Sequence, residues 1–341
     1  MLYNEERKSA YLSAKDLSSA SKGIVKNLFE RLAVHENSYG CDFADMNEEQ
    51  RSKTVGQVCG LSRKTIYAAE STLRDYVKWC ANQGYAAQSS TESIQADVSE
   101  RIRTSMVCSP ADLLHTLDFV FPDPEINGIH YIYRAYFWLA FSGLLETEAI
   151  RVEPQHLDYE AMKIHRLYGE FSEYPLYPES LQDIKQAAQM ELICENRGKK
   201  GVSLIWKDRA PGTLILRGKM NSMTIEQALK STMRPLISRA FARAREKAEA
   251  PADLRSDLAY RRVHMSGIFY REYTAELEGI EPNFSKYAHL DYYARNEKSP
   301  YSHGGQYTKE HVVSILRKSY EEDYRRWKDA FRLHVPVRAE V

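Results

Sequence analysis

The chain has 341 residues, 43% of them hydrophobic and 11% aromatic, with 47 Lys+Arg against 47 Asp+Glu. The length predicts two domains, and the apolar content excludes a disordered chain. Zero net charge excludes a sequence-blind polycation, but not a DNA binder whose basic side chains gather on one face.

Residues 1 to about 105 read as helices joined by short polar turns. Ile24, Leu28 and Leu32 recur at helical spacing. A second helix runs through 47–59 and stops at Gly60. A third takes Ser62 as its N-cap and lines up Ile66, Ala69, Leu73, Val77 and Cys80 on one face. The Ser-Pro at 109–110 marks the boundary between a first domain, 1–107, and a second, 111–341. In the second, 131–141 is apolar on nearly all sides, the pattern of a helix buried in a larger core. Strand-like pieces follow at 155–157, 162–165 and 173–176. A Lys- and Gly-containing loop, ENRGKKGVS, leads to LIW and TLILRG, and helices then run from 224 to about 247, 262 to about 278 and 309 to about 333. The expected fold class is mainly α with one small β-sheet (α+β).

No apolar stretch approaches the roughly 18 residues of a membrane-spanning helix. The opening MLYNEERKSAYLSAK carries charges where a signal peptide needs its apolar run. The five cysteines (Cys41, Cys59, Cys80, Cys108 and Cys194) are widely spaced, with no CxxC pair. A reduced, cytoplasmic protein is expected. Helix-borne metal-ligand spacings and Gly-rich phosphate loops are missing, so no metal, cofactor or nucleotide is expected.

Four features bear on function. In VGQVCGLSRKTIYAAESTLRDYV, Gly60 sits at a turn between two helices that Leu61 and Ile66 can plug, the pattern of a helix-turn-helix. Arg63, Lys64 and Thr65 would then open the second helix, where its N-terminus meets phosphates or base edges. The plain alternative is a helical hairpin with a solvated basic turn. A basic run from Arg217 through Arg262 places Arg234, Arg239, Arg243, Arg245 and Lys247 in or beside one helix, with Arg239 and Arg243 sharing a face. It reads either as a phosphate-contacting rail or as a solvated surface. Near the C-terminus, Val313, Leu316, Tyr320, Trp327 and Phe331 form an apolar stripe. That stripe packs on its own domain or docks on a neighbouring subunit.

The fourth feature is LAFSGLLETEAIRVEPQHLDY at 139–159. It resembles the first box of the tyrosine recombinases, the phage-integrase family: an apolar helix, Thr/Ser-Gly-Leu-Arg, two residues, Glu, then a strand. Ser142, Gly143, Leu144 and Glu148 fit, but the position of the family's catalytic arginine holds Leu145. Leucine has neither the charge nor the fork that binds a scissile phosphate. The family's second box, His-x-Leu-Arg, has its best counterpart in 261–264. Arg261 stands there for the histidine and His264 for the arginine, with Arg262 between them. The sheet lysine would fall in YGEFSEYP, which has none. The nucleophile could be Tyr287, Tyr292, Tyr293, Tyr301, Tyr307 or Tyr320, and with 23 tyrosines in the chain proximity selects none of them.

Residues 1–105 look like the SAM-like core-binding domain that precedes these catalytic domains, so the second domain is expected to be tyrosine-recombinase-like. Among degenerate members the chain is most similar to the SP-beta-type phage lytic-cycle repressors. Their helix after the second box reads Ser-Gly-x-Phe-Tyr-Arg, matched by Ser266, Gly267, Phe269, Tyr270 and Arg271. The resemblance implies a sequence-specific binder of double-stranded DNA with no catalytic set, acting as a phage or prophage repressor. Arg63, Lys64, Thr65, Arg239, Arg243, Arg261 and Arg262 would contact DNA, and the C-terminal helix would offer a homo-oligomer contact. The alternatives are a divergent active recombinase and an accessory factor for one.

Overall fold

The computed structural model describes residues 2–86, 94–122, 129–165, 173–190, 192–195, 205–208, 233–247, 249–251, 253–298 and 308–335. In chain order its elements are α1 (Glu5–Ala14), α2 (Ser19–Tyr39), α3 (Glu48–Val58), α4 (Arg63–Asn82), α5 (Ser99–Ser105), α6 (Pro110–Val120), α7 (Ile129–Ser142), α8 (Glu146–Ala149), β1 (Leu157–Asp158), β2 (Lys163–His165), β3 (Glu173–Pro175), α9 (Leu181–Gln189), β4 (Leu192–Glu195), β5 (Ile205–Asp208), α10 (Arg234–Arg245), α11 (Tyr260–Leu277), α12 (Ser285–Lys298) and α13 (Lys309–Phe331). The chain is therefore mainly helical. It forms two compact units, the first of them built from two separate stretches of sequence. Met1–Ile102 is gathered with Asn283–His334, while Arg103–Pro282 makes the second unit.

The first unit begins with locally encoded helix ends. Ser18 accepts the Ser21 N–H at 3.2 Å to start α2, and Gly40, at φ +68°, takes the left-handed cap that ends it. Asn47 and Gln50 form a reciprocal capping box at α3, and Ser62 accepts the Thr65 N–H to open α4. Leu61 and Ile66 are both buried, filling the angle between α3 and α4. Tyr11, Phe29 and Tyr76 pack edge-on or tilted at 5.0–5.8 Å beneath the helices. Beside them the Lys8 ammonium pairs with Glu36, both fully buried, and Glu36 also accepts the Phe43 N–H at 2.9 Å. That second acceptor role helps offset the desolvation of the pair.

α4 is tied to α1 by Asp75, which accepts from Tyr11 Oη at 2.6 Å and Lys15 Nζ at 2.8 Å. Burial pushes this carboxyl up, but the bonds from Lys15 and Tyr11 outweigh it and hold it below its ordinary value of 3.8. A depressed folded value means stability present above pH 3.8 and lost as pH falls through the folded value. The wild-type chain is expected to lose more stability than Asp75→Asn on acidification below that point. Denaturant midpoints that fall in parallel for the two proteins would refute it.

α12 and α13 pack on each other, and α13 also touches α4. Phe284 stacks on Tyr320 at 6.1 Å and lies 5.3 Å from Tyr324, and Trp327 is fully buried. Most of the apolar stripe of the C-terminal helix (Val313, Leu316, Tyr320 and Trp327) is thus covered by the chain's own helices.

In the second unit α7 is the centre. From Ile132 to Phe141 every side chain is buried, including Arg134. α11 and α9 pack on it, and α6, α10 and β1–β3 contribute to the same core. The strands pair antiparallel in the order β1-β2-β3, with Ile164 opposite Leu157 on one side and Tyr174 on the other. A separate two-stranded antiparallel pair, β4–β5, sets Cys194 opposite Trp206. The single sheet expected from sequence is thus two, because LICE, outside the expected strands, supplies a partner for LIW. The expected 155–157 strand begins later, since Pro154–His156 turns as a 3-10 segment. Ser109 and Pro110, expected at a domain boundary, are the N-cap and first residue of α6. YGEFSEYP falls largely, and the ENRGKKGVS loop, TLILRG and 224–232 almost wholly, outside the described residues.

Candidate functional site

The recombinase-like first box occupies the end of α7 and the turn after it. Gly143, at φ +99°, sits just past the helix. The Leu144 N–H reaches the Leu139 carbonyl at 3.2 Å and the Gly143 N–H reaches Ala140 at 2.9 Å. This is the paired hydrogen-bond pattern of a Schellman stop, and a positive φ here favours glycine. Leu145 then precedes α8 and donates its backbone N–H to Glu148 Oε2 at 3.0 Å.

α11 carries the second box across to this turn. Tyr260 Oη donates to the Leu144 carbonyl at 2.8 Å, His264 Nε2 donates to Gly143 O at 3.1 Å, and Arg271 Nη1 donates to Phe141 O and Ser142 O at 3.1 Å each. Arg271 thereby satisfies the last two carbonyls of α7, and His264 and Tyr260 satisfy the two carbonyls of the turn that follows. The Ser-Gly-x-Phe-Tyr-Arg string serves the same junction. Ser266 Oγ accepts the Val107 N–H at 3.1 Å and donates to Arg262 O at 2.9 Å. Gly267 lets α11 approach the α7 backbone, Phe269 is buried, and the Tyr270 ring lies 5.7 Å from Phe141.

The polar groups around Leu145 are committed to one another. Glu146 accepts from Tyr136 Oη and pairs with the Arg234 guanidinium, whose Nε lies 3.0 Å from Oε1. Hydrogen bonding to Glu146 raises Arg234 further above its already high ordinary value. Burial, reinforced by the Glu146 charge, pushes the Tyr136 phenol up, and burial followed by Tyr136 and Glu146 does the same to Tyr260. Both phenols stay protonated at physiological pH. Of the tyrosines considered as a nucleophile, Tyr287 and Tyr320 are buried among aromatic rings of the first unit. Tyr301 and Tyr307 lie outside the described residues.

The basic residues separate by unit. In the first, Arg63, Lys64 and Thr65 are exposed at the start of α4, and the Thr65 hydroxyl donates to Ser62 O at 2.8 Å. Arg63 Nε pairs with Glu322 of α13 at 3.1 Å, a partner that lies far away in the sequence. In the second, Arg239 and Arg243 are exposed on one face of α10, Arg261 is exposed and Arg262 half-buried in the first turn of α11. Arg234, grouped with the rail in sequence, turns instead to Glu146. Sequence reasoning passes over Tyr260 and Glu146. A tyrosine one residue before the second box and a Glu directly after Leu145 are the available signals.

Residues 2–82, the whole of α1–α4, match a family described as MrpR, N-terminal core-binding domain. No curated protein matches the chain. Among solved structures the chain is similar to the Tn1549 transposon integrase in complex with circular intermediate DNA. The identity is 15% over 81% of this chain and 88% of that one, with a TM-score of 0.31. A variant of the same integrase, also with a circular intermediate DNA, is 13% identical over 97% of this chain and 98% of that one, with a TM-score of 0.32.

Proposed function

We propose that this chain is a cytoplasmic, sequence-specific binder of double-stranded DNA on an integrase-type scaffold, acting as a phage or prophage repressor rather than by strand transfer. One observation carries the reading: Leu145 and His264, at the two positions where the family's arginines would stand, present no guanidinium. Leu145 offers no cation, and His264 is bonded to Gly143 O. Arg234, whose guanidinium reaches this turn, is bound to Glu146. Loss of one preorganised clamp donor costs about 3–4 kcal/mol, or two to three decades in rate. The match of 2–82 to a core-binding family supports DNA contact by the first segment, 1–107, and the exposed cations of α4, α10 and α11 are its means. The segment 111–341 would then be a recombinase-like domain kept for binding.

The test is selection of bound fragments from random or genomic duplex DNA at two salt concentrations, followed by incubation with a nicked suicide version of the recovered site. Enrichment without any covalent protein–DNA adduct is expected. Arg63→Ala with Lys64→Ala should weaken binding and lower the salt slope by about two units, one for each phosphate no longer neutralised. A tyrosine-linked adduct would make the protein an active recombinase, and unchanged affinity and slope would move the interface away from α4.

A further inference from the structure

We propose that α13 is an intramolecular brake on DNA binding, in which Glu322 holds Arg63 where a DNA phosphate would take it. The inference rests on the DNA-binding reading above and adds a regulatory contact to it. Arg63 is the first residue of α4, the helix whose opening turn presents Arg63 and Lys64 to solvent. Its Nε lies 3.1 Å from Glu322 Oε2, so a carboxylate already engages the guanidinium that an anionic ligand of this turn would take. The positive end of the α4 dipole favours an anion there, whether carboxylate or phosphate. Glu322 is a stand-in supplied by the chain itself.

Two features make this more than a passing surface contact. Glu322 rides on a helix fixed by the buried Tyr320, Tyr324 and Trp327, so its backbone is already held within reach of Arg63 and only the two side chains need ordering. The exchange is also asymmetric. Glu322 Oε2 has a second cation, Arg326, at 3.5 Å on its own helix, so it keeps a partner when Arg63 leaves. Arg63 in turn gains a phosphate. DNA can therefore displace the contact without stranding a charge, and the carboxylate competes most strongly at low salt, where screening is least.

The test uses the full chain and fluorescein-labelled generic duplex DNA, with affinity read by anisotropy at low salt. Glu322→Gln is expected to bind about two- to fivefold more tightly than wild type, the fold-change that corresponds to releasing one exposed ion pair. Glu310→Gln removes an equal charge from the exposed start of the same helix and is expected to leave affinity unchanged. In an Arg63→Ala background the gain from Glu322→Gln should vanish, since the two residues act as a coupled pair. If wild type binds but Glu322→Gln binds no tighter, or if the gain persists without Arg63, the brake is wrong and the DNA-binding reading stands. If none of these proteins binds duplex DNA even at low salt, the DNA-binding reading fails and takes the brake with it.

Discussion

Asp183→Ala is expected to cost the second unit about 3–5 kcal/mol, the range for removing one partner of a buried ion pair. Asp183 is 2% exposed and accepts from Arg134 Nε at 2.7 Å through one oxygen and from Trp138 Nε1 at 2.7 Å through the other. Arg134 also donates to the Phe121 carbonyl at 3.1 Å and to Asp118 at 2.6 Å. Removing the carboxylate leaves a guanidinium in the core with only the half-exposed Asp118 for its charge, and a buried indole N–H without an acceptor. At about 2–4 °C per kcal/mol for a unit of this size, the melting temperature should fall by roughly 6–20 °C. Asp183→Asn, which keeps an acceptor for one donor, should lose less. A melting temperature within a degree or two of wild type for the alanine variant would show that Asp118 alone satisfies Arg134.

Gly267→Ala is expected to destabilise the same unit by about 3 kcal/mol or more, the upper range for overpacking a core. A Cβ at this position would stand 1.8 Å from the Phe141 carbonyl oxygen and 2.6 Å from its carbon. Those atoms are backbone, so no rotamer change relieves the clash, and α7 and α11 must move apart. Separation would pull Tyr260, His264 and Arg271 off the carbonyls of 141–144, so that hydrogen bonds break along with the packing. Gly23, where an added methyl would meet no atom within 4 Å, provides the contrast. Gly23→Ala sits in an exposed helical turn and should be neutral or slightly stabilising. Thermal denaturation of the two variants side by side decides it, and equal melting temperatures would remove the close-approach argument.

Where the information is local, the sequence suffices. Ser62 as a cap, the helix stop before Gly60 and the all-round apolar 131–141 segment are each determined within a few residues of the position concerned, because caps and periodicity act over one or two turns. The same locality accounts for the strands at Lys163–His165 and Glu173–Pro175. Short polar helices such as α1, α5 and α9 offer too few periodic positions to be legible, and become helices by setting their buried faces against a core. Partner choice is not local. A basic residue reads alike whether it faces solvent, pairs with Glu322 from the far end of the chain, as Arg63 does, or turns inward to Glu146, as Arg234 does. The recombinase-like boxes follow the same rule. Their order along the chain is legible, but only the packing of α11 on α7 decides that His264 and Arg271 serve the carbonyls at a helix end, because a hydrogen bond between distant segments exists only once the core has brought them together.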